Sequence, residues 1–261
     1  MINSPVTPSK LKQAKKRLLQ MHYESNVGHL GGNLSCIDAL LVIFHEFLKE
    51  KDEFVLSKGH SAGALYIGLW SLGAIPESAL ASFHKDETLL PAHPSSNGIP
   101  KISFATGSLG HGLSLAAGLA LGIKLKGRDD AVICLTSDGE WQEGSTWEAL
   151  IFAIHNDLKN LTIIVDHNEL QGFGATSDVA SMAPLWEKLE GFSIKTYVID
   201  GHNLDEIRST IADAKSKLCI IFLRTVKGHG IEQLEGKLES HYLPLTQDQY
   251  SQALRNIDNA Q

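Results

Sequence analysis

Two apolar runs, each followed by a polar side chain, constrain the fold of this chain more than any other feature. The first run, Ala131–Leu135, leads to Asp138, and the second, Leu161–Val165, leads to Asn168. A helical pattern lies between the runs, and the two polar residues are about 30 residues apart, which is the length of one strand–helix–strand crossover. Such a unit places the carboxyl ends of both strands at one edge of a parallel sheet.

The side chains at these two strand ends suit a divalent metal that carries a diphosphate. Asp138 offers carboxylate oxygens and Asn168 an amide oxygen, and Gly139 lets the backbone approach a ligand closely. Mg²⁺ prefers oxygen ligands and usually shares them between protein and phosphate. An Asp-Gly pair alone is more often an ordinary turn. The spacing, the two flanking strands and the pairing with Asn168 favour the metal site.

Alternation of apolar strands with helical patterns continues along the chain and predicts an α/β fold. We expect a doubly wound, mainly parallel sheet flanked by helices, because the central runs are continuously apolar, as in a sheet buried on both faces. Residues 1–261 are expected to form a single domain, with an ordered loop and a helix from about residue 228. Helices are predicted, among other places, at Ser35–Leu48, His60–Leu72 and Leu109–Lys126.

Composition limits the classes of function and the compartment. The formal net charge of −7 argues against a nucleic-acid partner, because phosphate backbones recruit basic surfaces. The three cysteines, Cys36, Cys134 and Cys219, lie in apolar contexts and are expected to be buried free thiols. No apolar run approaches the roughly 20 residues of a membrane helix, and the N-terminus has no apolar signal core. We therefore expect a soluble, cytoplasmic protein without a membrane partner.

Four histidines lie in loops and indicate a site. His29 and His60 each follow a glycine, His93 precedes a proline, and His241 lies in the late loop. Any one of them taken alone is more often a surface or hydrogen-bonded core residue. Together, near predicted helix starts and strand ends, they favour a cluster that donates hydrogen bonds and moves protons near neutral pH. A Rossmann dehydrogenase is disfavoured, because no Gly-x-Gly-x-x-Gly opens a helix after the first strand.

The chain resembles the transketolase family in its cofactor-diphosphate-binding N-terminal part. The stretch from Ser137 to Asn168 is similar to the thiamine diphosphate motif, with Ser137 and His167 in place of the usual Gly and Asn. The other matching segments occur in the family's order between roughly residues 10 and 245. They are Gly28-His-Leu-Gly-Gly32, Phe54-Val-Leu-Ser-Lys-Gly-His60, Pro91-Ala-His-Pro94, Ala105-Thr-Gly-Ser-Leu-Gly110, Ile199-Asp-Gly-His202, Arg224-Thr-Val-Lys-Gly-His-Gly230 and His241.

The resemblance implies a metal site and a set of catalytic histidines. Asp138 and Asn168 correspond to the family's side-chain ligands of Mg²⁺ (or Ca²⁺ or Mn²⁺), and the backbone carbonyl of Leu170 corresponds to the third protein ligand. His60 and His241 would contact the diphosphate region and substrate oxygens. His29 and His93 would face the donor ketose near its first carbons.

The resemblance also assigns cofactor and interface contacts. The loop that contains Gly107, Ser108 and Leu109 would pass beneath thiamine diphosphate, and Gly139 would bind the diphosphate through its N–H, with Glu140 beside it. Glu143 is similar to a glutamate at the subunit interface. Ser137 places a side chain close to the diphosphate, where the family has none. Lys58 and Lys227 could reach a phosphate, although a surface position is nearly as plausible for both.

A complete transketolase is longer than this chain, and nothing here matches its pyrimidine-binding domain or the glutamate that activates the cofactor. The resemblance therefore implies the N-terminal subunit of a split transketolase, inactive alone, whose partner in an α2β2 heterotetramer is a C-terminal transketolase subunit. The pair would transfer a two-carbon ketol unit from a ketose or ketose phosphate to an aldose.

Two alternatives stay open from the sequence. The same pair could pass the two-carbon unit to a non-sugar acceptor, such as a lipoyl group or a carrier protein. In a different class, the chain could be a non-catalytic regulatory subunit, and Ser137 is the residue that favours this reading. The sequence does not specify the donor, the acceptor or the pathway.

Overall fold

A five-stranded parallel sheet forms the centre of the molecule. The structure is a computed structural model that describes residues 5–96 and 98–259. The strands are β1 Glu53–Leu56, β2 Val132–Ser137, β3 Leu161–His167, β6 Lys195–Asp200 and β7 Cys219–Arg224, and a separate antiparallel hairpin consists of β4 Leu170–Gln171 and β5 Gly174–Ala175. The order across the sheet is β1-β2-β3-β7-β6, and all neighbours are parallel. The predicted doubly wound α/β fold is confirmed.

Helices cover both faces of this sheet. They are α1 Pro8–Ser25, α2 Leu30–Val42, α3 Ala62–Ser71, α4 Glu77–Leu80, α5 Gly112–Leu125, α6 Gly144–His155, α7 Thr176–Ala180, α8 Leu185–Lys188, α9 Leu204–Ala214, α10 Glu239–Tyr242 and α11 Gln247–Asn259. One hydrophobic core contains side chains of α1, α2, α3, α9 and α11, and the other contains side chains of α5, α6 and α8.

The direction of the chain across the sheet explains why the helices divide between the faces. The chain moves one way from β1 to β3 and the opposite way from β6 to β7. Because crossovers between parallel strands are right-handed, opposite directions place α6 and α9 on opposite faces. Ile133 and Leu135 of β2 accordingly pack with the α9 core, and Val132 and Cys134 pack with the α6 core. β2 is therefore buried along its whole length, as its continuous apolar run predicts.

Two predicted helices begin at different residues in the structure. α2 begins at Leu30 rather than Ser35, and a π-helical turn, Ile43–Phe47, continues it. Gly31 and Gly32 have low helix propensity, so the sequence pattern did not indicate a helix start at Leu30. Packing nevertheless requires glycine at position 31, since a Cβ there would lie 2.2 Å from Ser240 Oγ. α5 begins at Gly112 rather than Leu109, because Gly110 has a φ of +85° that ends the preceding loop.

Two further differences concern short helical turns. The helix predicted at His60–Leu72 opens with a 3₁₀ turn at residues 59–61 before α3 begins. The ordered loop predicted from about residue 228 contains the single helical turn α10. In both places only three or four residues are helical, and so short a segment carries no periodic pattern to read.

One segment has the length and composition of a membrane span. Leu30–Phe47 comprises 18 residues, of which 89% are buried inside the protein. It packs against α1, α3 and α9, which makes it a core helix.

The three cysteines are free and buried, as predicted. A cytoplasmic location stays a prediction.

Candidate active site

The carboxyl ends of the four neighbouring strands β1, β2, β3 and β7 converge on one cavity. Lys58 follows β1, Asp138 follows β2, Asn168 follows β3 and Lys227 follows β7. The cavity has a volume of about 280 Å³. Its lining residues are His29, His60, His93, Gly107, Leu109, Ser137, Asp138, Gly139, Asn168, Leu170, Gln171, Gly172, Phe173, His241 and Tyr242. This is the edge where parallel α/β sheets bind ligands.

The three predicted metal ligands, Asp138, Asn168 and Leu170, line this cavity. Asp138 is 5% exposed, and its carboxylate accepts hydrogen bonds from the N–H of Gly139 (2.8 Å) and of Glu169 (2.6 Å). The second of these bonds ties the end of β2 directly to the residue after Asn168. Asn168 Oδ1 accepts from the Leu170 N–H at 3.1 Å. All three oxygen donors therefore line one cavity, and their hardness suits Mg²⁺, Ca²⁺ or Mn²⁺.

The four predicted histidines form a cluster that lines the same cavity, referred to below as the histidine cluster. The His29 ring lies at its centre, with ring centroids 4.8 Å from His241, 6.0 Å from His60 and 6.3 Å from His93. His29 itself has a φ of +63°, and its N–H donates to the His241 carbonyl at 2.9 Å. A positive φ is uncommon for a residue with a side chain and recurs at functional sites. The early loop and the late loop are thus joined at the site.

Burial keeps the histidine cluster uncharged. It lowers the pKa of His29 and of His93, and it lowers the pKa of His60 well below its usual range, with a further contribution from the Lys58 ammonium. Burial and the neighbouring Lys227 lower the pKa of His241 to about 3. A neutral imidazole has one donor and one acceptor nitrogen, so at neutral pH these rings can orient hydroxyl groups, although the Nδ1 atom of His241 already accepts from Lys227.

A fully buried ion pair lies next to the predicted metal ligand Asn168. The Lys58 ammonium contacts the Asp166 carboxylate, and both side chains are completely buried. Asp166 also accepts from Ser35 Oγ (2.6 Å), Asn168 Nδ2 (3.2 Å) and Thr225 Oγ1. Burial alone would raise the pKa of the Asp166 carboxyl, but the Lys58 ammonium and the hydrogen bonds from Ser35 and Thr225 together hold it below its usual range. This ion-pair network fixes the Asn168 amide, whose Nδ2 donates to Asp166 while its Oδ1 accepts from the Leu170 N–H.

Lys227 is buried as well, but it lies in a different environment. It is 2% exposed, and its ammonium donates to the Leu170 carbonyl (3.0 Å) and to His241 Nδ1 (3.0 Å). Burial lowers the pKa of Lys227 to about 8. A surface position, left open for Lys58 and Lys227 by the sequence, is wrong for both. The position of Lys227 three residues beyond β7, at the same sheet edge, is the signal that could have placed it.

Glu140 does not reach the cavity and instead holds its loops. The side chain is fully buried, and its carboxylate accepts from the N–H groups of Gly110 (3.0 Å) and Ser137 (2.8 Å) and from Ser57 Oγ. Burial raises its pKa. The Gly107–Gly110 loop is thereby fastened to β1 and β2. Two further predicted residues, Ser108 and Glu143, are exposed to solvent and do not line the cavity.

The two departures from the motif find separate explanations. Ser137 is 7% exposed, and its Oγ lies 3.3 Å from Glu140 Oε2, so the hydroxyl extends the hydrogen bonds around Glu140 while still bordering the cavity. His167 points to the other side of the sheet, with its ring centroid 5.3 Å from Trp186 and 6.2 Å from Phe222. Neither residue displaces a predicted metal ligand.

The sequence did not indicate four lining residues, Gln171, Gly172, Phe173 and Tyr242. The first three form part of the β4–β5 hairpin directly after Asn168, and Tyr242 OH donates to the Gly172 carbonyl. Phe173 is 85% exposed at the rim. A turn with two glycines, Gly172 and Gly174, was the only local signal for this hairpin.

The sequence of this chain is similar to a known protein family and to several of its members. Residues 13–258 match the family described as transketolase, thiamine diphosphate binding domain. The chain is 35% identical over 256 residues to a 6-deoxy-6-sulfo-D-fructose transketolase subunit from Clostridium sp. (strain MSTE9), covering 94% of this chain and 93% of that protein. It is 34% identical over 260 residues to an apulose-4-phosphate transketolase subunit from Actinobacillus succinogenes, covering 95% and 94% of the two chains.

The fold is similar to that of solved structures that are much longer. The transketolase from Campylobacter jejuni superimposes with a TM-score of 0.86 at 27% identity, and the match covers 96% of this chain but 42% of that one. The relatives that match over nearly their whole length are therefore separate subunits, and the solved transketolase contains the matching part within a longer chain.

Proposed function

Since this chain belongs to the transketolase family of transferases, we propose that it is the cofactor-diphosphate-binding subunit of a two-component transketolase. The pair would transfer a two-carbon ketol unit from a ketose or ketose phosphate to an aldose. One observation carries the proposal: three oxygen donors for a metal and four neutral histidines line the same cavity at the carboxyl edge of the sheet.

The residues present fit the family's cofactors, thiamine diphosphate and a divalent metal. Asp138, Asn168 and the Leu170 carbonyl would hold the metal, and the Gly139 N–H and the nearby Lys227 ammonium would favour the diphosphate. The backbone at Gly107 lies close to the His93 ring: a Cβ added at Gly107, whose φ is +152°, would lie 3.0 Å from that ring. When bound, thiamine diphosphate supplies the nucleophilic carbon to which the two-carbon unit is transferred.

The histidine cluster would act on the substrate and its protons. His60 and His241, beside the two lysines, would contact the diphosphate region and substrate oxygens, and His29 and His93 would bind hydroxyl groups of the donor. Because burial keeps all four rings neutral, they can orient substrate hydroxyl groups through hydrogen bonds without adding positive charge to the site. The intact metal donors and the complete cluster favour a catalytic subunit over a regulatory one.

The partner would be a C-terminal transketolase subunit, in an α2β2 heterotetramer with Glu143 at a subunit interface. Support comes from the relatives named as subunits, of which this chain covers 93% and 94%, and from the solved transketolase, of which it covers 42%. Sugar substrates are supported by the names of the same two relatives. The partner would supply the pyrimidine-binding domain and the group that activates the cofactor.

A reconstitution assay tests the proposal. The purified chain and its C-terminal partner are assayed separately and together with thiamine diphosphate, Mg²⁺, a ketose phosphate donor and a panel of acceptors: sugar phosphates, free sugars and carrier-linked aldehydes. We expect turnover only with both subunits, and with sugar acceptors. Robust turnover by this chain alone would overturn the requirement for a partner, and failure to bind the cofactor in the assembled pair would favour the regulatory alternative.

A further inference from the structure

A second cavity lies at the amino edge of the sheet, opposite the candidate active site. Its lining includes Asp52, Ala131 and Asn160, which directly precede β1, β2 and β3. β2 has six residues, so about 20 Å of strand separates this amino-edge cavity from the candidate active site. Its volume is about 530 Å³, compared with about 280 Å³ for the cavity of the candidate active site. Sites for small molecules usually measure about 300–1,000 Å³, so the amino-edge cavity is large enough to hold a ligand.

The inner surface of the amino-edge cavity is apolar. It lies between the end of α2 and the end of α9, where Phe47 belongs to the π-helical turn after α2 and Ile211 belongs to the last turn of α9. Ile133 of β2 also forms part of this surface. An apolar group of a ligand placed here would be removed from water, which favours binding.

Most carboxylates in the lining are already paired or hydrogen-bonded within the chain. Glu46 forms an ion pair with Arg208, whose Nε lies 2.9 Å from Oε2. Asp52 is buried and accepts hydrogen bonds from two backbone N–H groups, both at 2.9 Å. Among the lining carboxylates of the described residues, only Asp129, which is exposed to solvent, has no such partner. The lining therefore offers little negative charge to a cationic ligand.

Three exposed lysines line the same cavity, and two of them are unpaired. Lys159 contacts Asp157 at 2.9 Å, but both side chains are more than half exposed, so this pair is weak. The ammonium groups of Lys49 and Lys215 have no carboxylate partner in the part of the chain that the structure describes. The whole chain carries a formal net charge of −7, so the amino-edge cavity is a basic region on an acidic protein.

We propose that the amino-edge cavity binds a small amphipathic anion, a molecule with an apolar body and one carboxylate, phosphate or sulfonate group. The apolar body would lie against Phe47, Ile133 and Ile211, and the anionic group would lie near the ammonium groups of Lys49 and Lys215. A cationic ligand is disfavoured, because the lining lysines outnumber the single carboxylate without a partner. The site is separate from the candidate active site and does not depend on the proposed function.

Two fluorescent probes with the same aromatic body test this proposal. Anilinonaphthalene sulfonate is an amphipathic anion, and phenylnaphthylamine is the matching neutral molecule without the sulfonate. Each probe is titrated into the free chain and into the chain assembled with its partner subunit, with thiamine diphosphate and Mg²⁺ present to occupy the candidate active site. Fluorescence gives the affinity, and isothermal titration calorimetry gives the number of probe molecules bound per chain.

Two variants separate the charge of the cavity from its shape. The double variant Lys49→Gln/Lys215→Gln removes the two unpaired charges, and Ala212→Phe places an aromatic ring in the cavity from an exposed position on α9. The control for charge is Lys51→Gln, which changes an exposed lysine of the same loop that does not line the cavity. The control for shape is Ala212→Ser, which leaves the cavity open. All of these substitutions replace exposed side chains, so each variant should fold.

We expect one molecule of the sulfonate probe to bind per chain, whether the chain is free or assembled. The double lysine variant should bind the sulfonate probe about fivefold more weakly and the neutral probe like the native chain, because only the sulfonate interacts with the ammonium groups. Ala212→Phe should weaken the binding of both probes by about tenfold or more, because the new ring occupies the space of their apolar body. Both controls should match the native chain.

Four results would overturn the proposal. Equal affinity of the native chain for the two probes would contradict the preference for an anion, as would an unchanged sulfonate affinity in the double lysine variant. Unchanged binding in Ala212→Phe would place the probes elsewhere on the protein. Loss of binding on assembly would show that the partner subunit covers this face. None of these results depends on turnover, so the proposed function is tested separately.

Discussion

The two buried lysines at the carboxyl edge of the sheet differ in how their charge is neutralised. Lys58 lies in the ion-pair network, where Asp166 is its counter-ion and Ser35, Thr225 and Asn168 satisfy the remaining oxygen positions. Lys227 lies behind the cavity wall and contacts a carbonyl and an imidazole, neither of which carries a negative charge. The charge of Lys58 is therefore paired with a carboxylate of this chain, whereas among residues 5–96 and 98–259 no carboxylate lies within ion-pairing distance of Lys227.

Removal of the metal carboxylate should have the largest effect on activity. Asp138→Ala, in the assembled enzyme, should lower kcat/KM by about 1,000-fold or more, because the proposed metal ligand that would anchor the diphosphate is lost. Steady-state kinetics at saturating cofactor and Mg²⁺ measures the effect. Asp129→Ala, an exposed aspartate at the opposite edge of the sheet, should retain native activity, and retained activity in Asp138→Ala would contradict the ligand assignment.

Disruption of the ion-pair network should affect the folded state itself. Lys58→Met leaves Asp166 buried without a counter-ion, and the free energy of unfolding should fall by about 3–5 kcal/mol. Urea denaturation followed by circular dichroism measures this. Adding Asp166→Asn to Lys58→Met should recover part of the loss, because the uncompensated charge is gone. A loss below about 1 kcal/mol for the single variant would show that the network is not a stabilising element.

The histidine cluster should make stability depend on pH. Burial lowers the folded-state pKa of His60 well below 6.5, so the unfolded chain takes up a proton there that the folded chain does not. Its contribution is complete above pH 6.5 and is lost as the pH falls below that value, by about 1.4 kcal/mol per pH unit and per proton. His60→Asn should show a shallower loss of stability between about pH 6.5 and pH 5 than the native chain.

Urea denaturation at several pH values provides the comparison for His60. His155→Asn, which changes an exposed histidine at the end of α6, serves as the control and should keep the native slope. An unchanged slope in His60→Asn would mean that this ring does not resist protonation in the folded chain.

The smallest effect is expected for the lysine without a counter-ion. Lys227→Met is the same chemical change as Lys58→Met, but it removes a buried charge that has no counter-ion, so stability should change by less than about 1 kcal/mol or should rise. Urea denaturation of the two variants side by side measures the contrast. A loss as large as that of Lys58→Met would show that the two lysines are equally well compensated by the protein.

Local patterns in the sequence account for much of the site. Asp138 and Asn168 were predicted from the spacing of two strand ends, because a crossover of that length brings both ends to one edge whatever the details of packing. The family resemblance placed His29, His60, His93 and His241 in one site, and the structure brings all four to one cavity. Their assigned roles in catalysis stay predictions.

Other residues could not be assigned without the packed structure. Glu140 is adjacent to Gly139 in the motif, yet its carboxylate turns into the protein toward Ser57 and Gly110, which are distant in sequence. His167 follows Asp166 directly but points to the other face of β3, against Trp186. Alternation along a strand sends neighbours to opposite faces, and which face holds the cavity depends on the helices that cover it.

The sequence by itself determined the strand–helix–strand frame and the two oxygen-bearing side chains at its strand ends, because these depend on spacing along a short stretch, and the family resemblance indicated the class of cofactor. The states of the two lysines depended on the tertiary structure. Lys58 and Lys227 are both single lysines near a glycine in the sequence, and only the packing of β1, β3 and β7 at one edge gives the first a carboxylate and leaves the second with a carbonyl and an imidazole. The free energy of a buried charge depends on its burial and on its distance to a counter-ion. Both are set by segments that are far apart along the chain and meet only in the folded protein.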